Sequence, residues 1–131
     1  MGFRRFIAVV ALALVTMVSA GAGAAAPAQC SLGGKYFARS VKAYNTTEDA
    51  GYSIFTRFRG AEVFVPAQPG LTSEWLQRVV SYQIAAGECN FGVPDVTVSV
   101  LSAGSGFSVR LAGRDDKAAA EILRHAQQLT K

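Results

Sequence analysis

The chain contains few of the residues that most often carry chemistry. Among 131 residues there are one histidine and two cysteines. A zinc site usually needs three or four histidine, cysteine or carboxylate ligands at regular spacing. A nucleophilic site needs a nucleophile beside an oriented base. This shortage argues against a metal centre and a histidine-dependent active site, and we predict no cofactor and no bound metal.

The acidic and basic residues that might suggest catalysis have structural interpretations. His125 flanks the apolar stripe of a predicted C-terminal helix, four residues after Glu121, and such pairs usually make surface contacts. Asp115 and Asp116 stand where that helix begins, and acidic residues are favoured there by capping and by the helix dipole. We therefore predict that the protein is not an enzyme.

Charged residues are also scarce, at 17% of the chain. Arg4 and Arg5 precede an apolar run at residues 6–18 and a tract of small residues, which is the layout of a secretory signal peptide. The run is shorter than the ~20 residues that a membrane span requires. We predict a leader at residues 1–25, one domain at residues 26–131, no transmembrane segment in the mature chain, and a periplasmic or extracellular location.

Export would change both the charge and the chemistry of the cysteines. Loss of Arg4 and Arg5 leaves 11 basic against 9 acidic residues, a net charge of +2, which gives no reason to expect nucleic-acid binding. In an oxidising compartment, Cys30 and Cys89 predict one disulfide. It would close a loop of ~60 residues, worth about 4 kcal/mol in the chain-entropy model.

The clearest structural pattern lies in residues 96–129. Val96, Val98 and Val100 alternate with polar residues, and Phe107, Val109 and Leu111 do so after a glycine-containing turn. Such alternation predicts a hairpin with one apolar face. A helical stripe follows, formed by Ala119, Ile122, Leu123, Ala126 and Leu129. This stripe predicts a helix that covers the apolar face of the hairpin.

The first half of the mature chain is less decisive. Residues 35–44 fit either a helix or a strand, and residues 45–51 are typical of a loop. Residues 52–58 and 61–65 then predict a hairpin that turns at Arg59 and Gly60.

The middle helix is predicted to begin at Thr72, a good N-cap. Its main apolar stripe consists of Trp75, Leu76, Val79, Tyr82 and Ala86. Val80 and Ile84 lie off that stripe. They either pack against residues 35–44 or form an exposed patch for a partner or for self-association as a weak homodimer.

The order hairpin, helix, hairpin, helix predicts an α+β two-layer sandwich. Its antiparallel sheet would have about four strands, with two helices on one face. Five basic residues, Lys35, Arg39, Lys42, Arg57 and Arg59, outnumber the acids in the first part of the mature chain. With the aromatic residues between them, they form either a face for an anionic envelope partner or a solvated surface over an aromatic core.

The function that fits these observations is a small exported, non-enzymatic domain that binds an envelope or extracellular partner. The alternative is an enzyme or a metal-handling protein whose site is not visible in the sequence.

Overall fold

The structure is a computed structural model and describes residues 30–130, so the predicted leader lies outside the described residues. Four strands form one antiparallel sheet: β1 (Ser40–Asp49), β2 (Ile54–Pro66), β3 (Thr97–Ala103) and β4 (Gly106–Ala112). Two helices accompany them: α1 (Ser73–Ala85), between β2 and β3, and α2 (Asp116–Gln127), after β4. A short 3₁₀ turn, Gln128–Thr130, follows α2. The strands are arranged in the order β1-β2-β4-β3.

A single core lies between the sheet and the two helices. Val63 of β2 is opposite Val109 of β4, and Val109 is opposite Val100 of β3, so these residues form one row across the sheet. All three are buried in the same cluster as Leu76 of α1 and Ile122 of α2. Both helices therefore cover the same face, and the predicted α+β fold is confirmed.

The second hairpin and the last helix follow the sequence pattern closely. Val98 pairs with Leu111, and Val100 pairs with Val109, so the alternating apolar residues share the core face. The Asp115 side chain accepts a hydrogen bond from the Ala118 N–H and caps α2 as predicted.

The prediction for the first hairpin was wrong. Arg59 and Gly60 do not turn the chain; they lie within the continuous strand β2, whose partner is β1. Residues 45–49, predicted to be a loop, belong to β1, and the turn lies at residues 50–53. The ambiguous segment is a strand from Ser40 onward.

An irregularity in the pairing of β1 with β2 lies beside Gly60. Tyr44 pairs with Gly60 but Asn45 pairs with Phe58, so β2 contains one extra residue, Arg59, at a β-bulge. A Cβ atom on Gly60 would overlap the main-chain carbonyl of Leu111 on β4. Gly60 is thus required for close approach between strands. In the sequence alone, a glycine with this role looks the same as a glycine in a turn.

We expect Gly60→Ala to destabilise the fold by about 1–3 kcal/mol, because the backbone of β4 must move to admit a methyl group. The free energy of unfolding from urea titration measures this effect. Gly33→Ala is the matched control, because its added methyl group meets the end of the Leu129 side chain at 3.2 Å and no main-chain atom closer than 3.7 Å. An equal loss in both variants would show that close approach is not the reason for Gly60.

The disulfide joins Cys30 to Cys89, as predicted. It fixes the segment at residues 30–36 against the end of α1, where Gln83 accepts a hydrogen bond from the Ser31 N–H at 2.9 Å and donates one to the Ser31 Oγ at 2.7 Å. This segment contributes Leu32 and Tyr36 to the core. The bridge therefore anchors residues that pack in the interior, and it also reduces the conformational freedom of the unfolded chain.

Candidate functional site on the outer face of α1

The core-facing side of helix α1 agrees only in part with the predicted stripe. Thr72 caps it as expected, accepting a hydrogen bond from the Trp75 N–H. Its buried residues are Leu76, which belongs to that stripe, and Val80, which does not. The aromatic residues of the predicted stripe lie outside, with Trp75 52% exposed and Tyr82 70% exposed.

This placement corrects one candidate partner-binding residue. Val80 is 0% exposed, and Ile84 is partly buried and packed against the core. The structure therefore supports burial of this pair, although not specifically against residues 35–44, and Val80 has no surface to offer a partner. α1 itself packs chiefly over β3, at the far side of the sheet from β1.

The outer face of α1 consists of the exposed Trp75 and Tyr82 and of Val79, which is half-buried and also packs against the core. These positions are four and three residues apart, so they form one stripe along the helix. They line an open groove of about 380 Å³ together with Arg78, Gln83 and Glu88. The groove thus has an apolar floor and charged residues of both signs among its lining.

Trp75 also borders a second depression, which lies toward the N-terminal segment. Lys35, Tyr36 and residues 68–71 form its other walls. The Lys35 ammonium lies 5.6 Å from the centre of the Tyr36 ring, within reach of a cation–π contact. Lys35 is therefore the predicted basic residue that the fold brings beside the outer face of α1.

The other predicted basic residues are spread along the β1–β2 hairpin. Arg57 pairs with Thr46, seven positions along the chain from Arg39, so the two are roughly 23 Å apart at about 3.3 Å per residue. Arg57 contacts Glu48 at 3.4 Å, and Lys42 lies 3.9 Å from Glu62. The half-buried Arg59 occupies the bulge. The fold does not gather these side chains into one basic face.

His125 belongs to α2, and its side chain lies against the loop that follows Cys89. Its Nε2 is 3.4 Å from Glu121 and 3.1 Å from Arg124, and the ring packs against Gly92. The hydrogen bond from Arg124 and its positive charge lower the pKa of Glu121 below its usual value. An acid held in its ionised form suits an ion pair better than proton transfer.

In residues 30–130, no group of three or more histidine, cysteine, aspartate or glutamate side chains is arranged to hold a metal ion. Nor does this part of the chain contain a helix long and apolar enough to cross a membrane.

No protein-family model matches this chain, and neither a curated protein nor a solved structure matches it.

The sequence contains a pattern that indicates the outer face of α1, but we interpreted it as part of the core. Trp75, Val79 and Tyr82 share a face distinct from that of Leu76 and Val80, and both faces are apolar. Large aromatic residues suggested the core because they bury the most area. The smaller pair is buried instead, because α1 lies close to β3.

Proposed function

We propose that this chain is an exported, non-enzymatic domain that binds a protein partner in the cell envelope or the extracellular space. The outer face of α1 is the binding surface. The observation that carries this proposal is the exposure of Trp75 and Tyr82 on a helix whose core contacts are made by other residues.

The energetics of exposed aromatic residues support a protein partner. The core is closed by Leu76 and Val80, so the outer aromatic residues are not needed to fill it. Tryptophan and tyrosine are enriched among the residues that dominate binding energy at protein interfaces. A stripe of this kind therefore fits a surface that becomes buried when a partner binds.

The lining of the groove indicates the chemistry of the partner segment. An apolar floor made by Trp75, Val79 and Tyr82 suits aliphatic or aromatic side chains. Arg78 and Glu88 also line the groove and offer one charge of each sign to polar groups around them. This arrangement resembles the apolar centre and polar rim of protein–protein interfaces.

We expect Tyr82→Ala and Trp75→Ala each to weaken partner binding about tenfold or more, by removing an aromatic anchor. The partner is first captured from an envelope extract with the oxidised protein, then purified and titrated by calorimetry. Glu74→Ala, in the first turn of the same helix and outside the groove, is the control. Unchanged affinity in both aromatic variants would contradict the proposed surface.

A second variant separates this proposal from an enzyme or metal-handling protein. We expect His125→Gln to retain full partner affinity, because His125 contacts Glu121 and Arg124 on α2 and does not line the α1 groove. Binding is measured with and without a chelator. Loss of binding in both tests would favour the rival function.

A further inference from the structure

The two edge strands of the sheet, β3 and β1, differ in the hydrogen bonding of their outward main-chain groups. At the β3 edge, the Gln77 side chain of α1 donates to the Val98 carbonyl at 3.5 Å and accepts from the Val100 N–H at 3.3 Å. The amide takes the place of a neighbouring strand there. In residues 30–130, the outward main-chain groups of β1 have no such bond. β1 is the open edge.

β1 is well suited to pair with another strand. It has ten residues and no proline, and its irregular partner residue, Arg59, lies in β2. Edge strands of this length are usually blocked, because unpaired main-chain groups recruit other strands.

The hydrogen bonding shows which residues point outward. At the turn, the Ala50 N–H donates to the Ser53 carbonyl. Because residues of an antiparallel pair alternate between inward and outward bonding, the groups of Asn45, Thr47 and Asp49 face away from β2.

We propose that a second copy of this chain pairs antiparallel along β1, about a twofold axis at Asn45, to form a continuous eight-stranded sheet. In this register Lys42 lies opposite Glu48 of the second copy. The symmetry repeats the pair, so the interface contains it twice. Lys42 and Glu48 are an even number of residues apart and share one face of the strand.

The charges around this pair are complementary across the junction. Within each chain, Lys42 lies 3.9 Å from Glu62, and Glu48 lies 3.4 Å from Arg57. Pairing in the stated register produces a row in which Glu62 and Lys42 of one copy continue into Glu48 and Arg57 of the other. Signs alternate along the row, and no like charges become direct neighbours.

Two exposed aromatic residues lie near the ends of this edge. Phe37, just before β1, is 71% exposed, and Tyr52, in the turn after β1, is 97% exposed. Both residues lie outside the paired strand, one near each end of β1, so the proposed interface runs between them. This edge is separate from the α1 groove, so the two surfaces can be tested independently.

Charge reversal tests the pairing. We expect the exported, oxidised protein to dimerise in sedimentation equilibrium, and Lys42→Glu or Glu48→Lys to raise the dimer dissociation constant about tenfold, because two attractive pairs become repulsive. The double variant should recover dimerisation. Its intrachain contacts with Glu62 and Arg57 stay repulsive, so recovery cannot come from a more stable fold.

A cysteine at the axis tests the register. In a hydrogen-bonded antiparallel pair the Cα atoms are about 5.5 Å apart, a distance that a disulfide spans. Asn45→Cys should therefore give a covalent dimer on mild oxidation. Ala43→Cys should not, because its two copies are about 13 Å apart at about 3.3 Å per residue. A monomer at all concentrations, a dimer indifferent to both charge reversals, or cross-linking through residue 43 instead of 45 would overturn the proposal.

Discussion

Replacing Val80 with lysine should destabilise the fold by about 4 kcal/mol or more, because a charged side chain would have to leave water at a fully buried position. Val80 lies in the same cluster as Leu76 and the row Val63–Val109–Val100. A domain of this size has a total stability of about 5–15 kcal/mol, so the variant should lose a large part of its stability. Circular dichroism during urea titration measures the loss.

The same helix supplies the control for this prediction. Tyr82→Lys places an identical charge two residues further on, at a position 70% exposed, where solvent can hydrate it. We expect its melting temperature to stay within a few degrees of the wild-type value. If Tyr82→Lys unfolds the protein and Val80→Lys does not, the face of α1 that packs on the sheet has been assigned incorrectly.

Removing the disulfide should have the second large effect. Cys89→Ser is expected to cost about 2–5 kcal/mol, since the unfolded chain regains the freedom of a loop of roughly 60 residues. The cost has a structural component as well, because the bridge fixes the segment that places Leu32 and Tyr36 in the core. Thermal unfolding with and without reductant measures both components.

The hydrogen bonds of Gln83 distinguish the two components. Gln83→Ala removes the bonds to Ser31 but keeps the disulfide, and we expect a smaller loss of about 1–2 kcal/mol. If Cys89→Ser behaves like the wild type in oxidising buffer, the bridge contributes nothing to stability. Hydrogen exchange at the N–H groups of Tyr36 and Ala38 should report release of the anchored segment, because both bond to carbonyls within it.

The second half of the fold could be predicted because its pattern is local and unambiguous. Val98 and Val100 alternate with polar residues, and the glycine turn leaves one register for the hairpin. Helix α2 has one apolar face and an aspartate cap. Only one arrangement buries both apolar surfaces, so periodicity was sufficient.

The first hairpin could not be placed from the sequence, because its signals have two meanings. Gly60 permits a turn and also permits close contact with Leu111, and only the neighbouring strand β4 distinguishes these roles. The residues of β1 include several polar side chains because β1 is an edge strand. Polar content therefore suggested a loop where the ladder continues to Asp49.

By itself, the sequence determined the second hairpin, the disulfide, both helix caps and the α+β class, because each depends on local periodicity or on a single residue pair. Tertiary structure decided which side of α1 is buried. That helix is apolar on two faces, and only its approach to β3 places Val80 inside and Tyr82 outside. It also decided which edge of the sheet is closed, since Gln77 reaches β3 only after α1 has packed, while within residues 30–130 no side chain bonds to the outward main-chain groups of β1 in this way.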